Sequence, residues 1–474
     1  MVKRKQLVVE SIHLTTAGAR GVAIGRMEDG RALMVKGAVP GDVAKVRITK
    51  KKKSHYMGEV LEILEPSPDR IEAPCQHFDL CGGCVWQNMG YDNQLKWKSS
   101  EVRENLRRLG DVVAEKEEPI LPSKEVFYYR NKLEYSFCAE RWLEPHEIAS
   151  GEEIPDRRAL GFHIPGRWDR VFEVDHCMLQ PEPSNAIRNR ISELAKEHNW
   201  TYYHPRAKTG WLRSMMLRNS VAGEFMVVIQ TGHEDLKARQ ILIDDLLKNF
   251  PEIVSLWFSV NTKVNDSIYD LDLELISGKE VILEEMPAYK EGRPLQFRIG
   301  PKSFYQTNPK QAPELYRIAL DLAQVDKDSL VYDLYTGTGT IALYLAQQAG
   351  KVIGIEGVPE AVEDARLNAK NNGLSNVEFF SGDMRKVLNA EFVAEHGQAD
   401  VIVTDPPREG MHPDVVKLLL ELRPERIVYV SCNSATQARD LSLLKEGYAL
   451  KVSHPVDMFP HTAHVENVVL LERI

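Results

Sequence analysis

The sequence predicts a multidomain chain: a small N-terminal β-barrel, an α+β central domain with a metal cluster, and a C-terminal doubly wound α/β domain. Three observations carry this. Five short strand-like runs crowd into the first 66 residues. Three cysteines, Cys75, Cys81 and Cys84, follow within ten residues. From about residue 302 onward, short apolar strands alternate with helix-like segments, the pattern of a parallel sheet. A chain of 474 residues is too long for one core, and the boundaries are placed at 1–66, 67–300 and 301–474.

The runs "QLVVESIHL", "GVAIGRM", "RALMVKG", "DVAKVRITK" and "YMGEVLEIL" are separated by turn residues such as Glu28-Asp29-Gly30 and Val39-Pro40-Gly41. Five strands of this length suit a closed barrel of the oligonucleotide-binding type. Residues 1–56 hold thirteen Lys/Arg and four Asp/Glu, a balance of +9, so the remaining residues carry −18 of the net −9. A basic module on an acidic body points to a polyanionic partner. The run from Lys50 to Lys53 is the densest part and is equally compatible with a solvated strand end. The N-terminal residues lack a secretory pattern and no apolar run is long enough to span a membrane, so a cytoplasmic protein without membrane contact is expected.

In a reducing compartment thiols serve as core residues, ligands or nucleophiles. The spacing Cys75-x5-Cys81-x2-Cys84 indicates a metal centre, with Cys177 as the natural distant fourth ligand. Four thiolates suit zinc or an iron–sulfur cluster equally. Cys138 lies in a strand-like run and reads as core. The segment "YDNQLKWKSSEVRENLRRLG" has helical periodicity with a stop at Gly110, and this helix, at about 91–110, could pack on the catalytic domain. "FYYRNKLEYSF" offers cationic and aromatic groups for RNA, with sheet packing at least as good a reading of Tyr128, Tyr129 and Tyr135.

"VYDLYTGTGTIAL" is a strand, a glycine-containing turn and a helix start. Gly337 and Gly339 would let the backbone approach a ligand. Asp333, Glu356 and Asp383 close three successive strands, and an acid at Glu356 can bond both hydroxyls of a ribose. The third glycine of a dinucleotide fingerprint is missing. The three acids instead resemble the S-adenosylmethionine-dependent methyltransferase fold. "DPPREG" holds Asp405 in a loop stiffened by two prolines, and such loops also serve nitrogen methylation.

Cys432, in "YVSCN" at a strand end, decides between target atoms. Carbon-5 of uracil is a poor nucleophile. A thiolate adding to carbon-6 turns the ring into an enolate, and carbon-5 can then take the methyl group. A base must afterwards remove the carbon-5 proton. Glu466, in an apolar run, is the candidate, with His461 and His464 as rivals.

"DPPREG", "IVYVSCNSAT" and "DMFPHTAHVE" resemble the RNA uracil-5-methyltransferases, and "FYQTN" (residues 304–308) resembles their cofactor and substrate motif. The resemblance covers most of the chain and implies a TRAM barrel, an iron–sulfur central domain and a Rossmann-like methyltransferase domain. It implies Cys432 as nucleophile, Glu466 as general base and Asp405 at the catalytic centre. It further implies S-adenosylmethionine contacts at Gln306, Tyr335, Thr340, Glu356, Asp383 and Asp405. Cys75, Cys81, Cys84 and Cys177 would hold a 4Fe–4S cluster rather than zinc, with a folding and RNA-contact role. Ser434 departs from the proline of many relatives and should loosen that loop slightly. The expected substrate is 23S ribosomal RNA, because the transfer-RNA branch generally lacks both barrel and cysteine knot; transfer RNA is the alternative. A non-catalytic iron–sulfur RNA-binding protein is disfavoured by the intact Cys432, Glu466 and Asp405. A monomer is expected.

Overall fold

The computed structural model describes residues 7–474, apart from the side chain of Pro145. The chain forms two compact units. The first gathers the N-terminal residues up to Val126 with Pro407–Met411 and Val430–Val469; the second holds Phe127–Pro406, His412–Tyr429 and Leu470–Ile474.

In the first unit, β1 (Val8–Gly18), β2 (Val22–Arg26), β3 (Ala32–Lys36), β4 (Val43–Lys51) and β5 (His55–Glu65) close into a barrel in the order β1-β2-β3-β5-β4. Strand alternation turns Ile12, Leu14, Leu33, Val35, Val46 and Tyr56 inward. Closure leaves the barrel without an unpaired strand edge. Lys50 to Lys53 are exposed around the β4–β5 turn. The buried Asp42 fixes the way out of the barrel: it accepts hydrogen bonds from the Val39 and Ser67 amides and pairs with Arg70 at 2.6 Å. A single helical turn, α1 (Phe78–Cys81), and a long helix, α2 (Tyr91–Leu109), follow. Gly110 ends α2, and a Cβ there would stand 2.8 Å from the Ala438 carbonyl oxygen. A short strand β6 (Lys116–Glu117) completes this stretch.

The second unit begins with a seven-stranded sheet. Its elements are β7 (Lys132–Cys138), α3 (Pro145–Ser150), β8 (Ala159–His163), β9 (Val171–Glu173), α4 (Ser184–Glu197), β10 (Leu212–Asn219), β11 (Phe225–Thr231), α5 (Leu236–Asn249), β12 (Ile253–Val260) and β13 (Glu274–Gly278), with strand order β13-β12-β11-β10-β7-β8-β9. Only β11 and β12 pair in parallel, because α5 carries the chain back between them. The tyrosines of "FYYRNKLEYSF" divide: Tyr129 and Tyr135 are buried in packing, and only Tyr128 is exposed. Cys138 packs with Ala159 and Val171, and burial pushes its thiol pKa up. A hairpin of β14 (Ile282–Met286) and β15 (Leu295–Ile299) and helix α6 (Ala312–Ala323) lead on.

Strict alternation then builds β16 (Leu330–Leu334), α7 (Thr340–Leu345), β17 (Lys351–Glu356), α8 (Pro359–Asn372), β18 (Val377–Ser381), α9 (Met384–Val387), α10 (Ala390–His396), β19 (Val401–Thr404), α11 (Pro413–Leu422) and β20 (Arg426–Ser431). All five strands are parallel, in the order β18-β17-β16-β19-β20. The order reverses between β16 and β19, so ligands are expected at the C-terminal ends of those two strands.

The chain returns to the first unit with α12 (Ser434–Leu444), β21 (Tyr448–Val456) and the start of β22 (Glu466–Arg473); β21 lies between β22 and β6. Helix α2 packs along α12. The buried face of α2 carries Gln94, Lys98, Val102 and Leu106 at four-residue spacing, two of them polar. The Lys98 ammonium donates to Asp457 Oδ1 at 2.6 Å and to the Phe459 carbonyl at 2.9 Å, with both side chains of the ion pair fully buried. Tyr91 Oη donates to the other Asp457 oxygen at 2.8 Å. Burial drives the Lys98 pKa down, and Asp457 opposes it. No helix among the described residues is long and apolar enough to cross a membrane.

Removing one partner of a buried pair strands the other charge, at a cost of about 3–5 kcal/mol. Asp457→Asn should therefore lower the unfolding free energy by about that amount, whereas Lys98→Met combined with Asp457→Leu should recover most of it. Denaturant melts of the two proteins check this; equal losses would show that the pair itself carries the stability.

Candidate active site

One group of candidate residues lies at the switch point of the parallel sheet, in the second unit. β16 ends in Asp333 and Leu334, and the turn to α7 runs through Tyr335 (φ 64°), Gly337 (φ 57°) and Gly339 (φ 83°). The two glycines do different work. A Cβ on Gly337 would meet open space, so a ligand can approach there. A Cβ on Gly339 would stand 2.9–3.0 Å from Leu343, Ala365 and Phe379, so this glycine serves packing rather than ligand approach. Glu356 Oε2 accepts the Gly337 amide at 3.0 Å and Oε1 accepts the Val358 amide at 2.9 Å. A carboxylate offers about four lone-pair sites, which leaves capacity for two ribose hydroxyls.

Asp333 is fully buried and accepts from Thr336 Oγ1 at 2.5 Å. Burial pushes its pKa up to about 7, and the charge of Asp405 adds to the shift. Asp405 follows β19 directly, with its amide 3.3 Å from the Leu334 carbonyl. It is half-buried by surface area, yet desolvation also pushes its carboxyl up to about 7. Asp383 caps α9 and pairs with Arg385 at 2.5 Å, which pulls its pKa down to about 2. The Thr340 hydroxyl lies 3.2 Å from the Tyr316 hydroxyl, and both residues are buried.

The loop bearing Gln306 is fastened to the seven-stranded sheet by residues that motif reading passed over. Asn131 Nδ2 donates to the Gln306 carbonyl at 3.0 Å, and the Asn131 amide donates to the Thr307 carbonyl at 2.9 Å. Arg218, 3% exposed on β10, donates to the carbonyls of Gly300 and Ser303, both at 2.9 Å. Burial lowers its pKa to about 10. An arginine inside the apolar run "MMLRN" was the available signal.

A second group of candidate residues lies in the first unit. Cys432 follows β20, half-buried, and Asn433 caps α12 through Oδ1 to the Ala435 amide at 3.1 Å. Asn433 Nδ2 and Thr436 Oγ1 both donate to the Arg408 carbonyl, at 2.9 and 3.0 Å. Asp440 Oδ2 accepts the Met411 amide at 2.8 Å. The cysteine turn and residues 407–411 are thus one hydrogen-bonded piece. Ser434 does not loosen it: its hydroxyl accepts from Asn105 Nδ2 of α2 at 2.8 Å, a contact proline could not make.

Glu466 opens β22 and is only 4% exposed, so it is not an exposed edge carboxylate. Its neighbour Asn467 exchanges hydrogen bonds with Gln437 of α12 at 2.8 and 3.1 Å and accepts from Ser453 Oγ at 3.1 Å. His461 (φ 64°) is built into the α2 contact. Its amide donates to Gln94 Oε1 at 2.9 Å, its carbonyl accepts the Val85 and Trp86 amides, and its Nδ1 lies 3.2 Å from Gln94 Nε2. Burial, with Lys98 nearby, lowers its pKa to about 4. His464 is exposed.

Cys75, Cys81 and Cys84 lie in the first unit and Cys177 in the second. None of the six cysteines forms a disulfide. The expectation of a gathered metal centre is not met: among the described residues no group of three or more His, Cys, Asp or Glu is close enough to hold a metal ion.

The family model for tRNA (Uracil-5-)-methyltransferases matches residues 272–474, and the TRAM domain model matches residues 12–61. An uncharacterised RNA methyltransferase of Bacteroides thetaiotaomicron is 47% identical over 457 residues, covering 96% of this chain and 99% of that protein. Another, of Halalkalibacterium halodurans, is 39% identical over 473 residues, covering 99% and 98%. The crystal structure of Pyrococcus abyssi tRNA (uracil-54, C5)-methyltransferase in complex with S-adenosyl-L-homocysteine superposes with a TM-score of 0.73 at 27% identity, covering 98% of this chain and all of that one. With the switch-point acids, the closed barrel and this similarity over nearly its whole length, the chain belongs to the RNA (uracil-5-)-methyltransferase family and is an S-adenosylmethionine-dependent RNA methyltransferase.

Proposed function

We propose that the chain methylates carbon-5 of a specific uridine in RNA through a covalent adduct at Cys432. The observation that carries this reading is a half-buried thiol at a strand end and a buried carboxylate, Glu466, both held to α12 in one compact unit. Nitrogen methylation needs neither group. The Cys432 thiolate bonds to carbon-6, and the C5=C6 pair moves to carbon-5. Carbon-5 takes the methyl group, and the electron pair of the broken S–CH3 bond stays on sulfur as S-adenosylhomocysteine. Glu466 accepts the carbon-5 proton, the double bond re-forms, and the thiolate leaves. Asp405, poised near neutrality, exchanges hydrogen bonds with the uracil edge or the cofactor, and Gln306, Tyr335, Thr340, Glu356 and Asp383 complete the cofactor contacts. Support for Glu466 over His461 comes from the hydrogen bonds that tie the histidine's backbone amide and Nδ1 to Gln94 of α2.

23S ribosomal RNA is the substrate we propose. Transfer RNA is the second reading, favoured by the full-length similarity to the archaeal enzyme, which removes the extra N-terminal length as a discriminator. Mapping 5-methyluridine in both RNA classes from a deletion strain separates them. We further infer, from a cysteine spacing that suits a metal centre together with the resemblance to RNA uracil-5-methyltransferases, that Cys75, Cys81, Cys84 and Cys177 hold a 4Fe–4S cluster that supports folding and RNA contact.

RNA carrying 5-fluorouridine should form an adduct with the wild type that survives denaturing electrophoresis, and Cys432→Ala should abolish it. Glu466→Gln should still form an adduct but turn over at least about 100-fold more slowly, the low end for a lost general base. No adduct with wild type on any cellular RNA would sink the mechanism.

The cofactor is cationic, so its binding should favour the ionised forms of Asp333 and Asp405, whose pKa values stand at about 7 in the free protein. Binding should release protons, and affinity should rise from about pH 6 to about pH 8 and then level off. Calorimetry in buffers of different ionisation enthalpy measures this, and Asp405→Asn should flatten the profile. Anaerobically purified protein should contain about four iron and four labile sulfide per chain; stoichiometric zinc would instead identify a zinc site.

A further inference from the structure

A groove of about 1000 Å³ opens on the seven-stranded sheet of the second unit, apart from every residue assigned above. Its walls are the end of β7, the turn between β8 and β9, and the loop of residues 203–208. Arg167, Arg206, Lys208 and Arg213 line it, against one lining acid, Asp266. This is a cationic patch on the part of the chain that carries the net negative charge.

The patch is built rather than incidental. Asp169, 2% exposed, accepts from Arg167 Nε at 3.2 Å and from Arg206 Nη2 at 2.6 Å, and so fixes two guanidinium groups at the rim. Arg213, also 2% exposed, is bonded to Asp266 at 2.7 Å and to the carbonyls of Asn261, Lys263 and Asn265, with its guanidinium 4.4 Å from the Tyr203 ring centroid. Lys208 has no acidic partner among the described residues and holds φ 57°, a region a residue with a Cβ seldom occupies. The tight loop closed by the Lys208 amide on the His204 carbonyl at 2.7 Å imposes that angle and presents the ammonium. At the β8–β9 tip the Trp168 indole is 65% exposed, a large apolar ring left in water.

Fixed guanidinium forks match phosphate oxygens, and an exposed flat ring matches the face of an unstacked base. The volume lies at the top of the roughly 300–1,000 Å³ range of small-ligand pockets, which suits one or two nucleotides and excludes a duplex. We propose that this groove is a second RNA-binding site of the enzyme, taking an unpaired stretch of the substrate with one base stacked on Trp168 and its phosphates on Arg206 and Lys208. An acidic protein segment would use the cations but would leave the indole without a matching planar partner. The proposal rests on the RNA methyltransferase reading but not on the atom methylated.

The test uses full-length protein and a fluorescein-labelled mixed-sequence single-stranded RNA of about twelve nucleotides, within the 4–16 nucleotides that such surfaces cover. Trp168→Ala should weaken binding by about 5-fold to 150-fold, the range for one lost base–ring stack, and Trp168→Phe should restore most of it. Arg206→Ala with Lys208→Ala should make the slope of log Kd against log salt shallower by about 1.4, two phosphate contacts at about 0.7 each. With RNA from a deletion strain, both proteins should show a raised KM and an unchanged kcat. Unchanged affinity, salt slope and KM in both proteins would overturn the proposal, as would loss of polyglutamate binding with RNA binding intact. Failure of the wild type to trap 5-fluorouridine RNA would instead count against the uracil-5 reading, and would leave these binding results standing.

Discussion

A single buried ammonium organises the first unit. Lys98 sits on the inward face of α2, where an unpaired charge could not remain. Asp457 must therefore lie against it, and the residues after Asp457 are drawn onto the same helix: Phe459 through its carbonyl, His461 through Gln94. Five residues beyond His461 the chain reaches Glu466. One turn and more further along, α2 holds Ser434 through Asn105, two residues after Cys432. The segments that carry the thiol and the carboxylate thus share one anchor. A pair of this kind adds little net stability compared with apolar packing, but it specifies which segment meets which.

The second unit solves a different problem. It gathers four acids at the ends of its parallel strands, where their mutual repulsion must be offset. Burial pushes the carboxyls of Asp333 and Asp405 up to about 7, whereas Glu356 accepts two backbone amides and Asp383 pairs with Arg385. The seven-stranded sheet holds the loop of Gln306 from Asn131, just before β7, and from β10. β10 sends Arg213 to the basic groove and, five residues on, Arg218 to the loop of Gln306. The basic groove and the loop before Gln306 are therefore framed by the same strand.

Much of this was legible in the sequence. Strand–helix alternation with acids at strand ends gave the parallel sheet and its switch point, because both follow from local patterning. The barrel was legible from turn residues at short intervals. What could not be read was long-range. Nothing in "YDNQLKWKSSEV" says that Gln94 and Lys98 face inward, since a polar residue on a helix ordinarily faces solvent; only the partner 359 residues away reverses that. Asn131, Arg218 and Asn467 act through backbone carbonyls and neighbouring amides, which leave no motif. Gly339 and Gly337 look equivalent in sequence and differ only in what surrounds their Cα atoms. Ser434 was misjudged because the cost of losing a proline is local, whereas the gain from Asn105 is not. The cysteine spacing suggests a ligand set, and among the described residues no such group is gathered.

The separation between Lys98 and Asp457 also has a kinetic side. Helix α2 leaves the ribosome 359 residues before the aspartate that must neutralise its buried face. At 5–20 residues per second that wait is on the order of 20–70 s. During it the nascent helix has Lys98 solvated and Val102 and Leu106 uncovered, while the barrel ahead of it and the sheet behind it can already close. Until Asp457 and His461 emerge, Lys98 and Gln94 on α2 lack the groups that face them in the finished unit.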